Sequence, residues 1–372
     1  MKAMALLLVG AGLWASSGWS MDPSAPPVIK VSTTLVSRTA SQPTAPVSNG
    51  LSLMQTASLQ AALDRNGFGV GFIDGQAGAR TTLALRDYAR SKNLSETAAR
   101  AELLAADESA TVTYTLTGED LAKVGTAPTD WEEAEKVPSM ACDGLDEVLS
   151  ERFHVSRRFL QRLNPALTNW DEVTAGTVVN VPNTRPAVWS ASASRLEVDC
   201  TAYRIRAFGA NDDLLASFPC SIARKLHKVP AGDLTLVAFA PNPNYTFDPE
   251  NFPESARARE IGRKLIIPPG PRNPVGVYWL SLSAPGFGMH GTPHPETIGR
   301  RESHGCFRLT NWDITTLASM VEAGTPVRVM NVPEEPPHPN PPATLCPPAA
   351  PRAAERTGAA LRAVPLPQGE RE

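Results

Sequence analysis

Three of the chain's six histidines, His290, His294 and His304, fall in one stretch, HGTPHPETIGRRESHGCFRL, together with Cys306, one of five cysteines. Imidazoles this close to a thiol suit a bound metal, an activated nucleophile, or no chemistry at all. His290 and His294 are four apart, the spacing that puts two zinc ligands on one helix face. Pro293 and Pro295 exclude a helix there, and Gly291 stands where the glutamate of that motif belongs. A site built from His290, His304 and Cys306 remains geometrically open. The inert option fits poorly with Gly305 directly before the thiol, because glycine admits close approach of a substrate backbone. Nucleophilic catalysis accounts for most of the stretch. A thiol with an ordinary pKa of about 8.5 is mostly protonated at neutral pH and needs a neighbouring imidazole to activate it. Arg308 adds a fork able to hold a carboxylate. If the segment is extended, His304 and Cys306 share a face, yet spacing alone does not choose between His290 and His304 as the base.

Elements must hold these residues in place. From Arg195 to Met330 short apolar runs recur, among them LEVDC, YRIRAF, LLASFPC, LTLVAFA, KLIIP, GVYWLSL and TPVRVM, separated by Gly, Pro, Asn and Asp. The pattern predicts a mainly-β sandwich or barrel. It is interrupted by one helix, NWDITTLASMVEAG, with Asn311 as its N-cap and Gly324 past its last turn. Residues 241–274 form a long Pro-rich excursion whose Tyr245, Phe247 and Phe252 favour a packed lid over a free loop. Cys200 and Cys220 flank a hairpin turning at GAND, which would place them opposite each other at a spacing compatible with a disulfide.

Upstream, residues 51–100 predict a small helical unit, with one helix stopping at Gly67, a second over ARTTLALRDYARSKN, and a tight turn at Asp74-Gly75 between them. Residues 140–183 predict two short helices, the second with Ser156 as N-cap and Asn164-Pro165 as its stop, followed by the strand TVVNVP. His154 sits at a helix end, where a structural role is expected.

The first 20 residues carry one Lys, an apolar run and then small residues, the layout of a secretory signal peptide. The run falls short of the roughly 20 residues a membrane span needs, so an exported protein, in the periplasm or cell wall, is expected. Residues 21–50 and 332–372 are Pro-rich and lack an apolar period, as linkers and tails do. A net charge of −3 gives no footprint for nucleic acid. Export makes disulfides possible, and an odd number of cysteines leaves at least one thiol unpaired. Cys306 is the candidate; pairing of Cys142 with Cys346 stays open.

His290-Gly291-Thr292 followed by Ser303-His304-Gly305-Cys306-Phe307-Arg308-Leu309 resembles the signature of L,D-transpeptidases of the YkuD type, and the span from Arg195 to Met330 resembles their catalytic domain. The resemblance implies that Cys306 is the nucleophile and His290 the proton donor and acceptor. It implies that His304, Gly305 and Gly291 shape the oxyanion site and that Ser303 and Arg308 position the substrate. His294 has no counterpart. The implied reaction is a 3→3 crosslink in peptidoglycan through a thioester on a stem tetrapeptide, with no cofactor and no metal. Water as acceptor would make the enzyme an L,D-carboxypeptidase, and lost turnover would leave a wall-binding protein. LQAALDRNGFGVGFIDGQAGARTTLALRDYARSKNL resembles a three-helix peptidoglycan-binding domain, and residues 140–183 are similar to a LysM module without a clear first strand. Stem peptides and glycan are the implied partners.

Overall fold

The computed structural model describes residues 50–334, apart from 107–108, 127, 185–191 and 253. The expected signal peptide, the expected linker up to residue 49, the tail from residue 335 and Cys346 lie outside the described residues.

Helix α1 (Leu53–Arg65) opens on a capping box in which Ser52 and Gln55 satisfy each other's backbone N–H groups. Helices α2 (Ala79–Ser91) and α3 (Glu96–Ala106) pack against it. The buried amide of Gln60 accepts from the N–H groups of Asp74 and Gly75 and donates to the Asp74 carboxylate. It thereby holds the turn that Gly75, at φ +71°, makes possible.

Strand β1 (Thr111–Thr115), short helices α4 (Gly118–Leu121) and α5 (Trp131–Ala134), helices α6 (Leu145–Phe153) and α7 (Arg157–Leu163), and strand β2 (Val178–Pro182) follow. β1 and β2 pair antiparallel, Thr113 opposite Asn180. The strand facing TVVNVP thus comes from upstream of residue 140, with α4 and α5 inserted between it and the two helices. That separation hid it from a local reading of the sequence. Ser156 caps α7 as expected.

The strands that carry the site are β3 (Arg195–Asp199), β4 (Arg204–Phe208), β5 (Leu214–Pro219), β6 (Ile222–Ala223), β7 (Gly232–Pro241), β8 (Tyr245–Phe247), β9 (Leu265–Ile267), β10 (Tyr278–Leu282), β11 (Gly288–His290), β12 (Arg301–Ser303), β13 (Phe307–Arg308) and β14 (Pro326–Met330), with helices α8 (Ala256–Ile261) and α9 (Asn311–Met320) between them. One eight-stranded sheet runs β13-β11-β10-β7-β14-β3-β4-β5. It is a single curled sheet rather than two stacked ones, because the long β7 pairs with both β10 and β14 and carries the ladder across the middle. Its ends meet. Just beyond β5, Ser221 and Arg308 exchange backbone hydrogen bonds of 2.8 and 3.0 Å, closing the sheet two residues from Cys306. Leu196, Val198, Leu280, Met289, Phe307, Ile314 and Leu317 fill the interior.

Three features tie the upstream units to this sheet and to α9. Residues 67–69 pair with Ser217 along the β5 edge and cover it. Asp87 of α2 takes hydrogen bonds from Arg204 and Arg206, with Arg204 only 1% exposed. His154, left-handed at the end of α6, pairs with Asp64 at 2.7 Å and stacks on Trp312 of α9.

A separate small core joins α5 to the excursion. Ala134 and Met140 pack with Phe247, Ala258, Leu265 and Ile267. Trp131 stacks on Phe247 at 4.6 Å, and Phe252 stacks on the same ring at 5.5 Å. Arg257 pairs with Asp130 and Glu132, and Arg263 with Glu135. The excursion is therefore a packed subdomain.

Two expectations are corrected. Cys200 and Cys220 are free, buried thiols. The residue opposite Cys220 is Tyr203, whose carbonyl accepts the Cys220 N–H at 2.8 Å. Cys200 ends β3, and β4 lies between β3 and β5. The N-cap of α9 is Thr310, not Asn311, since Thr310 Oγ1 accepts from the Asp313 N–H.

Candidate active site

β11 and β13 run parallel, Met289 opposite Phe307 and His290 opposite Arg308. Met289 and Phe307 are fully buried in the core. Strand alternation then puts Gly288, His290 and Arg308 on the other face. The thiol of the motif thus sits in the bend directly before β13, against the Gly288 N–H of the strand that carries His290.

The state of His290 follows from its contacts. Its Nδ1 lies 2.7 Å from the Gly291 carbonyl oxygen, which only accepts, so Nδ1 carries the proton. In the neutral ring Nε2 is then an open lone pair. Burial and the Arg308 guanidinium push the imidazole down to about 3, so it is neutral at physiological pH. The ring stacks on Trp279, with centroids 5.4 Å apart. Trp279 is fixed in turn by its indole N–H donating to Ser281 Oγ at 2.8 Å. A Cβ on Gly288 would lie 2.5 Å from the Trp279 ring, so only glycine lets the indole lie over this strand.

Cys306 is partly exposed, and burial raises its thiol above the ordinary value. The Gly288 N–H and Arg308 oppose that rise by favouring the thiolate. The resting pair is a neutral thiol and a neutral imidazole. Ser303 Oγ donates to the Cys306 carbonyl at 2.6 Å and accepts from the Gly305 N–H at 3.3 Å, cinching the loop that presents the thiol. Glycine at 305 is demanded by Phe287, whose ring edge would lie 2.6 Å from an added Cβ.

His304 faces elsewhere. Its ring sits edge-on to Phe252 at 5.3 Å, and its Nε2 lies 3.8 Å from Glu254, both residues of the excursion. Burial first, then Arg308 and Lys228, lower its pKa against the pull of Glu254. Of these imidazoles, it is His290 whose Nδ1 is held by a backbone carbonyl. His294 lies beyond the strand, 3.4 Å from Glu296. Among the described residues no group of His, Cys, Asp or Glu side chains converges as metal ligands would.

Residues 193–329 match the L,D-transpeptidase catalytic domain named YkuD. Over 183 residues the chain is 30% identical to the YkuD protein of Bacillus licheniformis, which bears an L,D-transpeptidase name, covering 49% of this chain and 92% of that one. The chain belongs to the YkuD family of L,D-transpeptidases. YcfS of Escherichia coli, also named for this activity, is 26% identical over 193 residues, 51% of this chain and 60% of its own. An L,D-transpeptidase structure from Mycobacterium smegmatis superposes with a TM-score of 0.30 at 19% identity, over 42% of this chain and 64% of that one.

Trp279 and Asn311 escaped the sequence reading. Nothing local marks Trp279, because its partner lies across a strand pairing. Asn311 had a usable signal: Thr310 with Asp313 three residues on is a capping pattern, and assigning the cap there leaves the Asn311 side chain free for other work.

Proposed function

We propose that this chain is an L,D-transpeptidase that forms 3→3 crosslinks in peptidoglycan with Cys306 as nucleophile and His290 as base. The observation that carries the residue roles is the His290 Nδ1–H spent on the Gly291 carbonyl, which leaves Nε2 as the acceptor, on the strand whose Gly288 N–H meets Cys306. Nε2 takes the thiol proton as Sγ attacks the carbonyl between the diamino acid and the terminal D-Ala of a stem tetrapeptide. The tetrahedral intermediate collapses, the C–N bond breaks, and the imidazolium returns the proton to the departing D-Ala amine. The side-chain amine of a second stem then attacks the thioester, again deprotonated by His290, and releases the thiol.

Arg308, itself buried, supports this cycle by favouring the thiolate over the thiol. Ser303 and Gly305 hold the loop, Gly291 holds the base, and His304 rests against Phe252 of the excursion. The chain's own groups supply the nucleophile, the base and the charge the reaction needs. We also propose export by the leader, with residues 51–100 as a peptidoglycan-binding unit and the β1–β2 unit as a LysM-like one. No helix among the described residues is long and apolar enough to cross a membrane.

The test incubates the mature protein and its Cys306→Ala variant with a disaccharide-tetrapeptide, followed by mass spectrometry. A thioester adduct and a dimer lacking one D-Ala, both absent in the variant, are expected. Tripeptide alone would replace the transferase by a carboxypeptidase. Dimer formation that survives Cys306→Ala would end the assignment of the nucleophile.

A further inference from the structure

The proton on His290 Nδ1 is placed by one carbonyl, that of Gly291, and one side chain packs against that glycine. Asn311, 3% exposed at the start of α9, lies wedged between two loops, one at Gly276 and one at Gly291. A Cβ on either glycine would collide with Asn311 Oδ1, and a Cβ on Gly276 would also lie 2.6 Å from Gly291 Cα. Both loops are therefore pressed against the amide and against each other. The amide orientation is fixed by its partners: Oδ1 accepts from the Val277 N–H at 3.2 Å, and Nδ2 donates to the Pro271 carbonyl at 3.0 Å.

A further partner comes from outside the catalytic sheet. Helix α6 of the β1–β2 unit packs against α9, and its Glu151 stands beside the Asn311 amide. Glu151 is itself in an unfavourable place for charge; burial pushes its carboxyl up to about 8. The Asn311 amide is the polar group that opposes this rise.

We propose that Asn311 is the positioning residue for the general base, and that Glu151 buttresses it, so that the β1–β2 unit contributes to the active site through the chain Glu151–Asn311–Gly291–His290. The proposal rests on His290 being the base. Asn311 touches no reacting atom. It sets the Gly291 peptide, which sets the tautomer and plane of the imidazole.

The experiment uses the full chain and follows iodoacetamide alkylation of the Cys306 peptide by mass spectrometry at pH 7, together with kcat and KM on the disaccharide-tetrapeptide. His290→Ala should slow alkylation. Asn311→Ala should lower kcat by about 10- to 100-fold, the scale of a catalytic group misplaced by an ångström, with KM within about twofold. Asn311→Asp keeps the Oδ1 acceptor toward Val277 and loses the Nδ2 donors, so it should fall between Asn311→Ala and the unaltered chain. Glu151→Leu leaves Asn311 in place and should lower kcat by less, about threefold to tenfold; it carries the test if Asn311→Ala does not fold. The decisive comparison is the double variant: in a His290→Ala background, Asn311→Ala or Glu151→Leu should slow alkylation no further. An equal additional loss there, or wild-type kcat in both single variants, overturns the positioning role while leaving the base intact. Wild-type alkylation in His290→Ala alone removes the base and the proposal with it.

Discussion

Replacing Phe247 by alanine removes the central ring of the small core that ties the excursion to α5. Phe247 is 2% exposed and stacked on both Trp131 and Phe252. Emptying a buried phenylalanine site costs about 3–5 kcal/mol. The core that must absorb this has five other buried members, two of them alanines. The main sheet draws on a different and larger set of residues. Opening should therefore be local. At about 1.4 kcal/mol per tenfold, amide exchange within residues 131–140 and 245–267 should accelerate by roughly two to three and a half orders of magnitude. Exchange in β7 and α9 should hardly change. The variant should also release His304, which Phe252 and Glu254 now hold. Hydrogen exchange with peptide-level mass spectrometry checks this. Equal acceleration in β7 and α9 would refute the idea that the excursion has a core of its own.

With the imidazole pushed down to about 3 and the thiol raised, the alkylation rate of Cys306 should climb steadily from pH 6 to 9, without an inflection near the ordinary histidine value of about 6.5. A reactive plateau already at pH 6 would mean a thiolate–imidazolium pair and defeat the neutral resting state. Asp87→Asn leaves the buried Arg204 guanidinium without its carboxylate and should cost about 3–5 kcal/mol in chemical denaturation; a cost below 1 kcal/mol would contradict it. Asp313, which faces Asp64, His154 and Arg204, is raised by burial to about 7, and His154 is raised by Asp64 against its own burial. Groups whose folded pKa is raised stabilise below the unfolded pKa and lose that contribution as pH rises through the folded one. The thermal midpoint should thus fall as pH rises from the ordinary carboxylate value of 3.8 to about 7, and Asp313→Asn should flatten the slope; an unchanged slope would assign it elsewhere.

The site was legible in the sequence where chemistry is local. SHGC and HGT carry their meaning in the types of adjacent residues, and the alternation of LEVDC or TPVRVM fixes which side chains enter the core. What stayed hidden depends on pairings between distant segments. Trp279 meets His290 only because β10 neighbours β11. The strand opposite TVVNVP was concealed by the inserted α4 and α5. Cys200 and Cys220 looked symmetric about the GAND turn, but the turn at residues 200–203 interposes a strand between them. Asn311 is of a type that suits a cap. Thr310 caps instead, and the amide reaches across to the two glycine loops.

The small core of α5 and the excursion also bears on where this chain is divisible. The stretch that matches the catalytic domain begins at residue 193, and a gene trimmed there would keep Phe247, Leu265 and Ile267 but discard Trp131, Ala134 and Met140. It would also strip residues 67–69 from the β5 edge and Asp87 from Arg204. The excised fragment would carry a naked greasy patch, an open strand and a stranded cation. In this protein the boundary drawn by sequence similarity is not a seam along which the molecule can be cut.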